Sequence, residues 1–181
     1  ALLFLSAGRI IHGIGDEQDM RKMGGLVRIL PFTYSMVFIG SMALIGFPFL
    51  TGFYSKDVIL ESAYVKGSLE GFSGIWVFGL GSLSALFTSF YSMRLMHLVF
   101  LSKVSNSRVS VEYGHEGGWK MTMPLLILSG GSIWIGYLCK DMIIGVGTDF
   151  WNNALFIHPS NQIMLEGEFL PVGVKWFATI M

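Results

Sequence analysis

The feature that most constrains this chain is a series of apolar stretches with few charged residues. They run over residues 1–14, 29–63, 72–100 and 121–138. Charged residues make up 13% of the 181 residues, against about 25% in a typical soluble domain, and the mean hydropathy is +0.61. A membrane-spanning helix needs about 20 apolar residues to cross a hydrocarbon core of about 30 Å. We therefore predict an all-α membrane protein, a bundle of transmembrane helices.

The second apolar stretch, residues 29–63, is too long for one straight helix. At about 1.5 Å per residue, its roughly 35 residues would cover about 52 Å, against a core of about 30 Å. Its middle reads GFPFLTG, and Pro48 there removes a backbone donor and clashes with the preceding turn. We predict two half-helices joined by a break that contains Gly46, Pro48 and Gly52.

The remaining stretches predict two full spans and two partial helices. Residues 72–100 and 121–138 each suffice for one crossing, and an irregular connection is expected over residues 141–170. Residues 1–14 are too short to span alone and predict the end of a helix, whereas residues 171–181 predict the start of another. We therefore expect a piece of a longer protein, which would arise as a fragment, from a split gene, or from unbuilt upstream sequence.

The basic residues of the loops predict the orientation, because short inner loops are rich in lysine and arginine. They are Arg21, Lys22 and Arg28 in the loop after the first helix, and Lys103, Arg108 and Lys120 in the loop after residue 100. We predict that these two loops lie on the same, inner face of the membrane.

The charge balance and the cysteine content argue against several classes of function. Twelve basic and twelve acidic residues cancel, so no basic excess suggests a nucleic-acid partner. The single cysteine, Cys139, forms no CxxC or His/Cys pattern. The segment HEGG, His115 to Gly118, has no second histidine at the spacing of an HExxH zinc motif. No metal site is predicted.

Lys56 is the residue that most needs an explanation. A charged side chain within a span costs at least about 2.5–3.5 kcal/mol, so it usually faces water or a partner. Helix breaks at membrane depth mark ion pathways in transporters. Because a desolvated lysine gives up its proton readily, Lys56 is a candidate proton carrier, and Asp57 and Glu61 could tune it or pass the proton on.

An alternative interpretation of Lys56 is that its side chain extends to the membrane surface and pairs with Asp57 or Glu61. The pattern alone does not decide between this interpretation and a proton carrier. Asp57 and Glu61 are four residues apart on a helix, and Glu61 is expected near the helix end and near water.

Three further polar residues are candidate relay groups. Arg94 and His97 are three residues apart on one predicted helix face, and His12 lies near the end of the first helix. The simpler interpretation, which we favour, is that Arg94 extends toward the inner surface and that both histidines are interfacial.

Several segments resemble the antiporter-like membrane subunits of respiratory NADH:ubiquinone oxidoreductase (complex I). They are ALLFLSAG-x-IIH, DEQDMRKMGG, LIGFPFLTGFYSKD, YSMR and GTDFW. The resemblance covers nearly the whole chain, and GFPFLTGFYSKD after DEQDMRKMGG is highly specific. The Mrp-type sodium/proton antiporter subunits of bacteria are similar in the same region and form the main alternative. A third possibility is a structural remnant that fills the membrane arm.

The resemblance implies that residues 1–181 are part of an antiporter-like proton-translocation domain. It implies that the break is the second of two discontinuous helices. Lys56 then falls on a lysine of the route toward the outer side of the membrane, and Asp57 on its acidic neighbour. In this family a histidine and a lysine come just before the segment ALLFL, and both lie outside this chain. The lysine–glutamate pair of the family's first broken half and its terminal lateral helix also lie outside this chain. Arg9 stands where the family more often has a small residue, and no role is assigned to it.

The same resemblance implies the cellular context. The chain would contribute to NADH:ubiquinone reductase in the mitochondrial inner membrane, or in a bacterial plasma membrane, without carrying a redox centre itself. Flavin, iron–sulfur clusters and quinone are expected in other subunits. The expected partners are other membrane-arm subunits, a polypeptide with the preceding helices if the gene is split, and lipids such as cardiolipin.

Overall fold

The described part of the chain is built from helices. The computed structural model describes residues 1–103, 116, 118–143, 149–152, 154 and 163–180, and no β-strand occurs among them. The helices are α1 (Leu2–Gly13), α2 (Pro31–Ile45), α3 (Thr51–Glu70), α4 (Phe72–Met96), α5 (Trp119–Ile143), α6 (Ile163–Glu168) and α7 (Val172–Ile180). A π-helical turn, His97–Leu101, extends α4, and short 3-10 turns lie at Leu26–Arg28 and Asp149–Trp151.

Two of the helices are long and apolar enough to cross a membrane. They are Phe72–Leu101, which combines α4 and its π-helical turn, and Trp119–Ile143. Only 17% and 11% of their most apolar windows are buried within the chain, so these are not the core helices of a soluble domain. Large apolar side chains such as Phe87, Phe90 and Ile127 point outward. The protein is an all-α membrane protein, as predicted.

The helix boundaries differ from the predicted ones in two places. The second half of the broken helix continues to Glu70 rather than ending near residue 63, because Gly67 allows its last turns to lie directly against α4. α5 runs from Trp119 to Ile143, beyond residue 138. The segment that follows, predicted to be irregular, contains the 3-10 turn at Asp149–Trp151 and the short helix α6.

Residues 1–44 and 89–132 form one compact unit. Its core joins α1, the 3-10 turn and α2 to the end of α4. The buried side chains of this core are Ile10, Ile14, Met23, Leu26, Leu30, Val37, Met96, Val99 and Phe100. Gly40 of α2 lets the side chain of Leu3 come close, and Leu2, Met36 and Leu125 form a smaller cluster that includes α5.

The loop after α1 contacts the end of the π-helical turn in this unit. Gly24, in the loop after α1, packs against Ser102 and Lys103 at the end of the π-helical turn so tightly that a Cβ atom would collide with the Lys103 backbone. The loop after α1 and the start of the loop after α4 therefore lie at the same end of the unit.

Residues 45–88 and 133–181 form the second compact unit. Here α3 and α4 run close together on either side of the turn at Gly71, because Gly67 and Gly74 leave no room for a side chain between them. Tyr64 and Phe78 pack edge to face with ring centroids 5.3 Å apart. α3 also contacts α6 and α7, so it is the central element of this unit.

The Gly67–Gly74 contact predicts the effect of adding a single methyl group. We expect Gly74→Ala to destabilise the protein by about 1–3 kcal/mol, since a Cβ there would collide with the α3 backbone. Gly79→Ala is the matched control on the same helix: nothing lies within 4 Å of its added Cβ, and alanine favours a helix by up to about 1 kcal/mol. Thermal unfolding in detergent measures both, and equal midpoints would contradict the packing argument.

Candidate functional site: the helix break and Lys56

The break between α2 and α3 is a short turn with two left-handed residues. Gly46 ends α2 with φ +91°, and Phe49 adopts φ +72°. The Leu50 amide donates to the Phe47 carbonyl at 3.2 Å, and Leu50 itself is extended, with ψ 159°. Glycine adopts positive φ without steric cost, which explains why α2 stops just before Gly46. Pro48 supplies no backbone donor within the turn.

Gly46 and Pro48 lie in this turn, but Gly52 does not. The extended residue Leu50 precedes α3, so the helix begins at Thr51 and Gly52 is its second residue. The prediction that Gly52 forms part of the break is therefore corrected: the chain has already resumed helical geometry at that point.

Lys56 reaches back over the break to the end of α2. Its Nζ donates a hydrogen bond to the carbonyl oxygen of Ile45 at 2.7 Å. The side chain also covers Gly46, where a Cβ atom would lie 3.1 Å from Lys56 Cδ. The last carbonyls of a helix have no intrahelical partner and carry partial negative charge. The lysine ammonium therefore caps the open end of α2.

Asp57 and Glu61 lie on the same helix as Lys56 and are half-buried. Within the described residues no ion pair joins Lys56 to Asp57, and the Lys56 ammonium instead donates to the Ile45 carbonyl. Glu61 is not at a helix end, because α3 continues to Glu70, and its Cβ lies 3.9 Å from where a side chain of Gly167 would begin. It is a mid-helix residue beside α6.

The first turn of α3 is held against α5 within the second unit. The Gly136 amide donates to Thr51 Oγ1 at 3.0 Å, and a Cβ on Gly136 would lie 2.5 Å from Thr51 Cα. Lys140, one turn further along α5, lies 5.9 Å from the centre of the Tyr54 ring. These contacts fix the helix turn that carries Lys56, and sequence reasoning did not identify them.

The three candidate relay residues lie apart from Lys56 in the sequence and are exposed on this chain. His12 is in the last turn of α1, and Arg94 is in the last turn of α4. His97 begins the π-helical turn, and its carbonyl accepts a hydrogen bond from the Ser102 amide at 2.7 Å. All three belong to the unit formed by residues 1–44 and 89–132, whereas Lys56 belongs to the unit formed by residues 45–88 and 133–181.

Sequence reasoning also missed a buried ion pair in the first unit. Arg9, to which no role was assigned, is 3% exposed and pairs with Glu116 at 2.7 Å. Glu116 lies in the HEGG segment that was considered only as a metal motif. An arginine inside an apolar helix was the available signal, since such a charge needs a partner.

The described residues contain no cluster of three or more histidine, cysteine, aspartate or glutamate side chains that could hold a metal ion. The ionisable side chains near the break are instead Lys56 and Asp57, with Glu61 further along α3. The amine and the carboxylates can accept and donate protons, whereas the backbone carbonyls only accept hydrogen bonds.

Comparison with known families connects this geometry to a class of membrane proteins. Residues 1–88, which include the break and Lys56, match the family model described as "NADH:quinone oxidoreductase/Mrp antiporter, TM". This part of the chain is thus similar to the antiporter-like membrane proteins, which is the resemblance predicted from its motifs.

Individual relatives make the relationship more specific. NADH-ubiquinone oxidoreductase chain 5 of Marchantia polymorpha is 57% identical over 169 residues, which cover 93% of this chain and 25% of the relative. The chain 5 proteins of Phytophthora infestans and Chondrus crispus are 52% and 50% identical, and the alignments cover 100% of this chain and 27% and 28% of those proteins.

The chain is therefore homologous to a segment of NADH-ubiquinone oxidoreductase chain 5, and the predicted resemblance is confirmed. It spans about a quarter of the length of the curated relatives it matches.

The contact between α3 and α5 predicts that the position of Lys56 depends on Gly136, which is far from it in the sequence. Gly136→Leu should push the first turn of α3 away from α5, since a Cβ alone would already lie 2.5 Å from Thr51 Cα. Overpacking of this kind costs about 1–3 kcal/mol. Gly130→Leu on the same helix is the matched control, because nothing lies within 4 Å of its Cβ.

Cysteine labelling measures the displacement. With Ser55→Cys as reporter on the first turn of α3, we expect thiol labelling to accelerate with Gly136→Leu and to stay unchanged with Gly130→Leu. The same labelling rate in both variants would show that Gly136 does not hold this turn.

Proposed function

We propose that this chain forms part of a proton-translocating membrane-arm subunit of NADH:ubiquinone oxidoreductase, and that Lys56 and Asp57 take part in moving the proton. The observation that carries the proposal is the 2.7 Å hydrogen bond from Lys56 Nζ to the Ile45 carbonyl at the open end of α2. The similarity to NADH-ubiquinone oxidoreductase chain 5 supports the assignment to this enzyme.

The energies at the break suit a lysine that changes its protonation state. Placing an ammonium group within a span costs about 2.5–3.5 kcal/mol on insertion scales. A hydrogen bond involving a charged group contributes about 1.5–3 kcal/mol, and the end of a helix dipole contributes about 0.3–2 kcal/mol. Because the cost and the gain are similar, a nearby change of charge or hydration is sufficient to favour either the protonated or the neutral lysine.

The acidic neighbours of Lys56 supply the next step for the proton. Asp57 is adjacent to Lys56 in sequence, and Glu61 is one helical turn from Asp57 on the same helix. A proton leaving Lys56 would pass along this side of α3 toward the outer face. Charge changes elsewhere in the subunit would drive the transfer electrostatically, without a redox reaction in this chain.

The proposal includes the setting in which the lysine works. Residues 1–181 would be part of one antiporter-like domain in the mitochondrial inner membrane, in contact with other membrane-arm subunits and with lipids such as cardiolipin. Flavin, iron–sulfur clusters and quinone would reside in other subunits. The names of the relatives favour this enzyme over a Mrp-type sodium/proton antiporter, although the family description includes both.

Substitution of Lys56 in the assembled enzyme tests the proposal. Lys56→Met removes the titratable amine and keeps an unbranched apolar side chain. We expect fewer protons translocated per electron, measured in vesicles as acidification driven by NADH oxidation. Lys56→Arg, which keeps the charge but does not release its proton, should lower the same ratio.

Lys66→Met is the matched control, because Lys66 is an exposed lysine on the same helix. It should leave the number of protons per electron unchanged. An unchanged ratio in Lys56→Met, with normal assembly of the enzyme, would refute a role of Lys56 in translocation.

A further inference from the structure

Arg9 is a charged residue in the middle of an apolar helix, and its guanidinium group is surrounded by partners from three other segments. Its Nη2 donates to Glu116 Oε2 at 2.7 Å, and its Nη1 donates to Thr122 Oγ1 of α5 at 3.0 Å. The guanidinium carbon also lies 5.0 Å from the centre of the Phe32 ring. The arginine thus connects α1 to α2, to α5 and to the segment before α5.

Glu116 binds the first turn of α2 with its other carboxylate oxygen. Its Oε1 accepts the Phe32 amide at 2.9 Å and the Thr33 amide at 3.4 Å, while Oε2 lies 3.5 Å from the Thr33 hydroxyl. The first amides of a helix lack intrahelical acceptors and carry partial positive charge, so a carboxylate stabilises them. Pro31 begins the helix and has no amide to satisfy.

The Arg9 and Glu116 side chains each need the other as a partner for their charge. Arg9 is 3% exposed and Glu116 is 29% exposed, so removing one partner leaves the other charge in a poorly solvated place. Breaking a buried ion pair is strongly destabilising, whereas replacing both partners by uncharged residues is often tolerated. The pair therefore acts as one unit at the start of α2.

The helix that this pair holds is the one whose other end contacts Lys56. α2 has 15 residues, which gives a rod of about 22 Å. We propose that Arg9 and Glu116 are positioning residues for proton translocation, because they hold the first turn of α2, the helix that ends at the Ile45 carbonyl to which Lys56 donates. This inference rests on the proposed function of Lys56.

The test uses the assembled enzyme with four variants: Arg9→Met, Glu116→Gln, the double variant with both changes, and Lys56→Met. Two quantities are measured for each: the amount of assembled enzyme in the membrane, and the protons translocated per electron by the enzyme that has assembled. The number of protons per electron separates a positioning role from a structural one, because it is normalised to the electron flow of the enzyme that has assembled.

We expect a loss of assembled enzyme in both single variants and a partial recovery in the double variant, in which neither charge is left unpaired. In the double variant the number of protons per electron should still fall, since the charged contacts at the start of α2 are gone. Thr122→Val keeps both charges and removes the hydroxyl that accepts from Arg9 and donates to the Gly118 carbonyl. It serves as the milder variant if a single charge substitution prevents assembly, and should lower the same ratio.

The outcomes distinguish the two proposals. If Lys56→Met lowers the number of protons per electron but the double variant and Thr122→Val do not, the positioning role of Arg9 and Glu116 is refuted while the role of Lys56 stands. If Lys56→Met itself leaves the ratio unchanged, the proposed function fails. A double variant that assembles less well than either single variant would contradict the dependence of one charge on the other.

Discussion

The structure depends on satisfying the backbone groups of a helix that stops inside the apolar part of the chain. When α2 ends at Ile45, its last carbonyls have no further helical turn to donate to them. Water is scarce at membrane depth, so an interrupted helix is stable only where protein groups or a hydrated cavity take the place of the missing turn. The Lys56 ammonium supplies one such group to the Ile45 carbonyl.

Both ends of α2 are stabilised in the same physical way, by a side chain of the charge that opposes the helix dipole. The carboxylate of Glu116 binds the amides at the start, and the ammonium of Lys56 binds a carbonyl at the end. The two charges differ in their surroundings. Glu116 has a fixed cationic partner in Arg9, whereas Lys56 has only a neutral carbonyl among its hydrogen-bond partners in the described residues.

The sequence was sufficient for the class of fold and for the location of the break. Hydropathy predicts membrane helices, and Gly46 and Pro48 predict an interruption, because these signals are local and arise from lipid solvation and backbone sterics. The length of α3 was underestimated, since its last turns depend on a glycine contact with α4 that no local pattern reveals. The prediction that Glu61 lies near the helix end was wrong for the same reason, because α3 continues past it.

Long-range pairs were the other information that the sequence could not supply. Arg9 and Glu116 are 107 positions apart, and the Gly136–Thr51 hydrogen bond joins residues 85 positions apart. A single sequence contains no sign of which distant groups meet. It does show that Arg9 is a charge in an apolar helix, which is reason enough to search for its partner once a structure is available.

The π-helical turn at His97–Leu101 has a consequence for how this chain tolerates changes in length. Such a turn closes its hydrogen bond over five residues rather than four, so it contains one residue more than an α-helix would in the same place. Within the turn both Val99 and Phe100 are buried, and Phe100 packs edge to face against Tyr34 with ring centroids 5.2 Å apart. Residues up to Met96 keep their α-helical positions. The turn therefore marks a position where a one-residue deletion would change which side chains enter the core, while the α-helical residues up to Met96 keep their positions.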